Sequence, residues 1–145
     1  GCNLSFAGLK TAGLRISKHL KTNQDKFDLA ASFQQTIEKI LYKKTLIAFK
    51  EFEKINKKKL DKFVIAGGVA ANKKIREMLI NLCQKNDISP IFPPKELCGD
   101  NAAMIAMVGL EKFKLKKFNE LDHKAMPRWQ LDEEANYMKG AGVKL

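Results

Sequence analysis

Apolar residues recur at three- and four-residue intervals through Leu29, Phe33, Ile37, Ile40, Leu41, Ala48 and Phe52. That stripe predicts one long amphipathic helix, capped by Asp28 and running to about residue 54. Upstream, Leu9, Leu14, Ile16 and Leu20 follow helical spacing more loosely, and a short helix is expected within residues 5 to 20. The pattern then changes. Phe63, Val64, Ile65 and Ala66 form an apolar run without alternation that stops at Gly67 and Gly68, as expected of a strand buried on both faces. Asn72 can open a helix whose apolar face holds Ile75, Leu79 and Leu82 and which ends near Asn86. Ile88 to Phe92 reads as a second strand, halted by Pro93 and Pro94. Asp100 stands at the head of Asn101 to Lys114, a helix apolar nearly all round and therefore expected to be central and covered on several sides.

The order helix, strand, helix, strand, helix indicates an α/β fold over residues 1 to 118, followed by a polar C-terminal tail, 119 to 145, with a local Pro127, Arg128, Trp129 stretch. Two strands are too few for a self-sufficient sheet. The chain also starts without a methionine and enters patterned sequence almost at once, so it is read as part of a longer protein whose upstream portion supplies further strands. The strands around 63 to 66 and 90 to 92 are expected to pair in parallel, because the segment between them is long enough for a helical crossover and both are apolar without alternation. With a right-handed crossover, the loops after both open on one edge of the sheet. Asn72 and Asp100 would then face a common crevice.

Composition narrows the class. The 145 residues are 45% hydrophobic and 30% charged, a globular balance that excludes collagen, coiled coil and disorder. No apolar run approaches the roughly 18 to 20 residues of a membrane span, and no signal-peptide layout is present. Cys2, Cys83 and Cys98 are odd in number and widely spaced, which argues against a disulfide framework or a zinc ribbon and for a cytoplasmic setting. The net charge of +11 comes almost entirely from lysine, the arginines being Arg15, Arg76 and Arg128. Lysine suits a phosphate backbone, so RNA is a plausible partner. The clusters Lys54, Lys57, Lys58, Lys59, Lys62 and Lys112, Lys114, Lys116, Lys117 nevertheless fall where helices should end, and there cations also complement the helix dipole.

The segment from Phe63 to Leu79 is a strand, a glycine turn and a helix. Glycines let backbone amides approach an anion, and the following helix N-terminus adds unpaired N–H groups and positive potential. Geometry alone can also demand glycine there, and Asn72 and Asp100 can equally be plain helix caps. His19 and His123 have no metal-ligand spacing, and no GxSxG, HExxH or P-loop pattern occurs.

Five stretches together resemble a known family, the universal tRNA threonylcarbamoyladenosine transferases (TsaD/Gcp, formerly labelled O-sialoglycoprotein endopeptidases). They are SFAGLKTA at 5 to 12, DLAASFQ at 28 to 34, AGGVAAN at 66 to 72, FPPKELCGDNAAMIA at 92 to 106 and PRWQLD at 127 to 132, in the family's order. The resemblance implies the C-terminal lobe of an actin-like, sugar-kinase-like two-lobe fold, incomplete without the upstream lobe. It implies transfer of a threonylcarbamoyl group from its adenylate to N6 of adenine 37 in tRNA. Asn72 would contact the adenylate, with Gly67 and Gly68 turning near its phosphate. Asp100 would be one ligand of a divalent metal, iron or zinc, shared with two histidines of the absent lobe. Partners would be tRNA, threonylcarbamoyl-adenylate and pathway proteins of the TsaB and TsaE type, with no membrane. Ala7 and Gln130 depart from the family's usual serine and proline. Two other readings compete: an inactive fragment that keeps only interaction surface, and the older metallopeptidase label, ranked last because no glutamate adjoins a histidine pair.

Overall fold

The computed structural model describes residues 1–122 and 124–126, so His123, the Pro127 to Trp129 stretch and most of the expected tail lie outside the described residues. The elements are α1 (Ala7–Ser17), α2 (Asn23–Asn56), β1 (Lys62–Val64), α3 (Lys73–Gln84), β2 (Ser89–Ile91) and α4 (Ala102–Lys114), with 3-10 turns at Gly68–Ala71 and Lys95–Leu97. Two compact units divide the chain, residues 1–101 and 102–145.

In the first unit β1 and β2 pair in parallel, with Lys62 opposite Ser89, Phe63 opposite Pro90 and Val64 opposite Ile91. Backbone bonds from Ser89 N to Asp61 O (2.8 Å) and from Ile65 N to Ile91 O (2.9 Å) extend the ladder at both ends. Pro90 has no N–H to donate, which a strand with only one neighbour tolerates. The crossover helix α3 buries Ile75, Leu79, Leu82 and Cys83. These join Phe49, Leu60, Ile65, Ala70, Ile88 and Cys98 in one core. Burial also pushes the Cys83 thiol up from its ordinary pKa, so it stays protonated and packs as a small hydrophobe.

Three expectations need correction. Asp28 does not cap α2. Thr22 does: its hydroxyl accepts from Asp25 N (3.0 Å) while the Asp25 carboxylate accepts from Thr22 N (2.8 Å), a reciprocal capping box. The helix starts earlier because its first turns are solvent-facing and carry no apolar stripe to announce them; Asp28 sits inside and accepts from Gln24 Nε2 (2.8 Å). Further along α2 it is Phe49 that is buried, edge-to-face on Phe63 with ring centroids 5.0 Å apart, while Phe52 remains exposed.

The strands, second, are covered on one face only. Phe63 and Ile65 point inward, but Val64 on the other face is 63% exposed and Ile91 43%. Unbroken apolar runs reflect a demand for cover on both faces, and within residues 1–101 helices meet that demand on one.

Third, α4 buries none of its residues: Ile105 is 68% exposed, and Met104, Met107, Val108, Leu110 and Phe113 are also exposed. The residue immediately before Ala102 is Asn101, so Asp100 does not occupy the capping position assigned to it from sequence.

Leu82 is 1% exposed at the centre of the core, and Leu82→Ala should cost roughly 3 kcal/mol in urea unfolding. Thr22→Ala should cost about 1 kcal/mol by removing the cap. Backbone donors from Thr22 and then Lys21 hold the Asp25 carboxyl below its ordinary pKa. Its contribution is therefore complete above the unfolded carboxylate pKa and fades as pH falls through the lower folded value. An acid titration followed by circular dichroism should show that part of the loss in the parent chain and not in Asp25→Ala.

Candidate functional site

Parallel pairing sends the chain out of β1 and β2 at the same edge of the sheet, and both candidate loops begin there. After β1, Gly67 takes φ +90°, a backbone conformation in which a side chain would be strained. A Cβ placed on Gly67 or Gly68 would meet nothing within 4 Å, so the space in front of the turn is open. The 3-10 turn then carries the chain to Asn72, closed by Ala70 N to Gly67 O (2.9 Å) and Asn72 N to Val69 O (3.1 Å). It begins at Gly68 and separates Gly67 from the first turn of α3, an intervening element that the sequence reading did not include.

Asn72 is the N-cap of α3, its Oδ1 accepting from Ile75 N at 3.2 Å. Its amide has a second partner, because Nδ2 donates to Gln34 Oε1 (3.3 Å), and Gln34 Nε2 in turn donates to Glu38 Oε1 (3.2 Å). Each amide thus gives its NH2 to one neighbour and its oxygen to another. The chain from Glu38 through Gln34 to Asn72 has a single polarity, and that polarity fixes which way the Asn72 amide faces. Oδ1 keeps one lone pair and Nδ2 one hydrogen beyond these bonds. Capping and ligand binding are therefore compatible uses of this residue.

Asn72 also lines a cleft of about 960 Å³ between α1, α2 and the start of α3. Its wall takes Ala7, Lys10 and Thr11 from the first stretch quoted above and Phe33 and Gln34 from the second. Gly13 faces the same aromatic wall: a Cβ there would lie 3.5 Å from the Phe33 ring, an ordinary packing distance. Thr11 Oγ1 donates to Ala7 O (3.0 Å), so that hydroxyl is committed to its own helix. Gly67, Gly68 and Asp100 are not part of this wall.

Asp100 lies beyond β2 in the loop that follows the Lys95–Leu97 turn, exposed, with no hydrogen bond or ion pair among the described residues. Its neighbour Asn101 is the residue engaged locally, through Nδ2 to Gly99 O (2.9 Å). No group of three or more His, Cys, Asp or Glu side chains able to hold a metal occurs among the described residues. Cys98 is buried and its thiol lies against Pro94 O (3.6 Å), away from service as a ligand. Asp100 suits one position of a shared site and no more.

The lysine clusters end helices, as their spacing indicated. Lys57 closes α2 in the left-handed conformation, Lys59 lies 3.6 Å from Asp87, and Lys114 pairs with Glu111 at 2.9 Å. Sequence reasoning missed Gln34 and Arg76, which contact the site loops from a distance in sequence. Gln34 closes the DLAASFQ stretch, and membership of that stretch was the available signal.

Comparison with known proteins gives these loops a context. The family model for TsaD, tRNA N6-adenosine threonylcarbamoyltransferase, matches residues 1–107. A protein of that name from Pelagibacter ubique is 70% identical over 145 residues, all of this chain and 41% of its own length. Its namesakes from Caulobacter vibrioides and Rickettsia bellii are 45% and 46% identical over 134 residues, covering 92% and 91% of this chain and 36% and 39% of their own lengths. The chain thus spans about two fifths of the length of the relatives it matches. No helix among the described residues is long and apolar enough to cross a membrane. With the family model matching residues 1–107 and a relative of that name 70% identical over the whole of this chain, this chain belongs to the TsaD family.

Proposed function

We propose that this chain forms the C-terminal lobe, residues 1 to 118 with a tail from 119, of an enzyme that moves threonylcarbamoyl from threonylcarbamoyl-adenylate to N6 of adenine 37 in tRNA. One observation carries the reading: Asn72, the cap of the helix after the glycine turn, is held by Gln34 of another family stretch at a cleft walled by a third. A positionally fixed amide beside an open glycine turn suits an adenylate, which offers hydroxyl and ring-nitrogen partners and a phosphate.

In the transfer the adenine N6 attacks the carbamoyl carbon, the new C–N bond forms, the bond from that carbon to the phosphate oxygen breaks, and AMP departs as the amine loses a proton. Asn72 orients the adenylate through the lone pair and amide hydrogen left over from its structural bonds. Gly67 and Gly68 leave room for the phosphate against the backbone. Asp100 is the donor this chain contributes to a divalent metal, iron or zinc, completed by two histidines from the part of the family's length outside this chain. When bound, such an ion supplies Lewis-acid charge stabilisation. Exposed lysines give a polyanion such as tRNA a favourable surface. Proteins of the TsaB and TsaE type are the expected partners and the cytoplasm the expected place.

The test joins this chain to the remaining length of the Pelagibacter ubique relative and measures transfer to unmodified tRNA from the adenylate. The chimaera should be active, and the isolated chain should be inactive and retain no stoichiometric metal after dialysis. Because Asn101 adjoins α4, Asp100→Asn should leave melting unchanged while metal content and transfer fall; full occupancy and turnover would remove Asp100 from the site. Gln34→Ala should raise the KM for adenylate about tenfold, equivalent to losing one positioned hydrogen bond. An unchanged KM would show that the Asn72 amide needs no outside support.

A further inference from the structure

We propose that Arg76 is a positioning residue that locks the loop bearing Asn72 and the loop bearing Asp100 into one arrangement. The assignment rests on the function proposed above for its bearing on activity, and on geometry for the lock itself.

Beyond Ile65 N to Ile91 O, no backbone hydrogen bond joins residues 66–72 to residues 92–101. Each loop is a short 3-10 turn with flanking irregular chain, so neither holds the other by secondary structure. Arg76, in the first turns of α3, reaches both. Its Nε donates to Ala70 O at 3.0 Å, inside the turn that leads to Asn72. Its Nη2 donates to Cys98 Sγ at 3.6 Å, two residues before Asp100. Its guanidinium carbon lies 4.4 Å from the centroid of the Phe92 ring, at the root of the second loop.

Both anchor residues are buried, Ala70 at 2% and Cys98 at 3% exposure, so the contacts are made where water does not compete freely. The Cys98 thiol itself lies 3.6 Å from Pro94 O and 3.9 Å from Pro93 O, and the guanidinium thereby grips the whole turn rather than one side chain.

This bridge needs arginine. A planar fork can donate in two directions while its face lies on a ring; a lysine ammonium on a flexible stem can satisfy one of these at a time. No carboxylate pairs with Arg76 among the described residues, so its role is not that of an ordinary surface ion pair. A ligand held by Asn72 and a metal held by Asp100 must keep a fixed separation, and displacement by about 1 Å can cost two orders of magnitude in rate.

The experiment uses the chimaera described above, with Arg76→Lys. Two readouts are taken: alkylation of Cys98 by iodoacetamide, followed by peptide mass, and kcat and KM for transfer from the adenylate. Release of the loop should raise Cys98 labelling about tenfold or more, and kcat should fall by a similar factor at a temperature where the variant is fully folded. Phe92→Leu, which removes only the ring, should shift both in the same direction by less and serves if the lysine variant does not fold. Unchanged labelling overturns the lock. Raised labelling with unchanged kcat overturns its part in positioning. An unsubstituted chimaera that fails beside an active Pelagibacter enzyme counts against the proposed function instead, and Cys98 labelling then decides the lock alone.

Discussion

Burial of one face of α3 between α2 and the two strands is the constraint on which the first unit depends. Strands of three residues cannot hold each other in parallel through a few hydrogen bonds, and they need a covered face to be stable. Ile75, Leu79, Leu82 and Cys83 supply that cover, with Phe49 and Phe63 closing the side toward α2. Once α3 is seated, the two strand ends are brought to one edge, Asn72 is set at the helix start, and Arg76 is set one turn further in. The candidate chemistry is therefore built at the start of the element that makes the core and on the two loops that leave the strands it covers.

The same economy governs the polar groups. Asn72 caps a helix with one lone pair and docks on Gln34 with one hydrogen, and the residue also lines a cleft. A residue that is wholly a cap and a residue that is wholly a ligand are thus false alternatives at this position. At Asp100 the alternatives separate: the capping position belongs to its neighbour, and the exposed carboxylate has no structural partner among the described residues. Its placement beside a buried, clamped turn gives an otherwise solvent-facing group a fixed origin.

The amphipathic stripe of α2, the strand-glycine-helix segment and the five family stretches were legible along the chain, and they carried the family assignment and the candidate residues Gly67, Gly68, Asn72 and Asp100. Parallel strand pairing was also foreseen, since an intervening helix leaves the second strand running the same way. The start of α2 was not, because capping by Thr22 depends on a local hydrogen-bond exchange in a stretch with no hydrophobic signal.

Sequence by itself determined which residues favour burial and where glycine marks a turn, because those preferences are written in side-chain chemistry; that the turn needs its glycine at φ +90°, at Gly67, was decided by the structure. It also determined the family, through the order of its stretches. Tertiary structure alone decided how much of that burial this chain provides: Val64, Ile91 and the residues of α4 carry an apolar pattern yet stay exposed among the described residues. It alone decided that Gln34 meets Asn72 across 38 positions of chain and that Arg76 meets Cys98 across 22. Contacts of that kind follow from where helices and loops pack in three dimensions, and no periodicity along the chain records them.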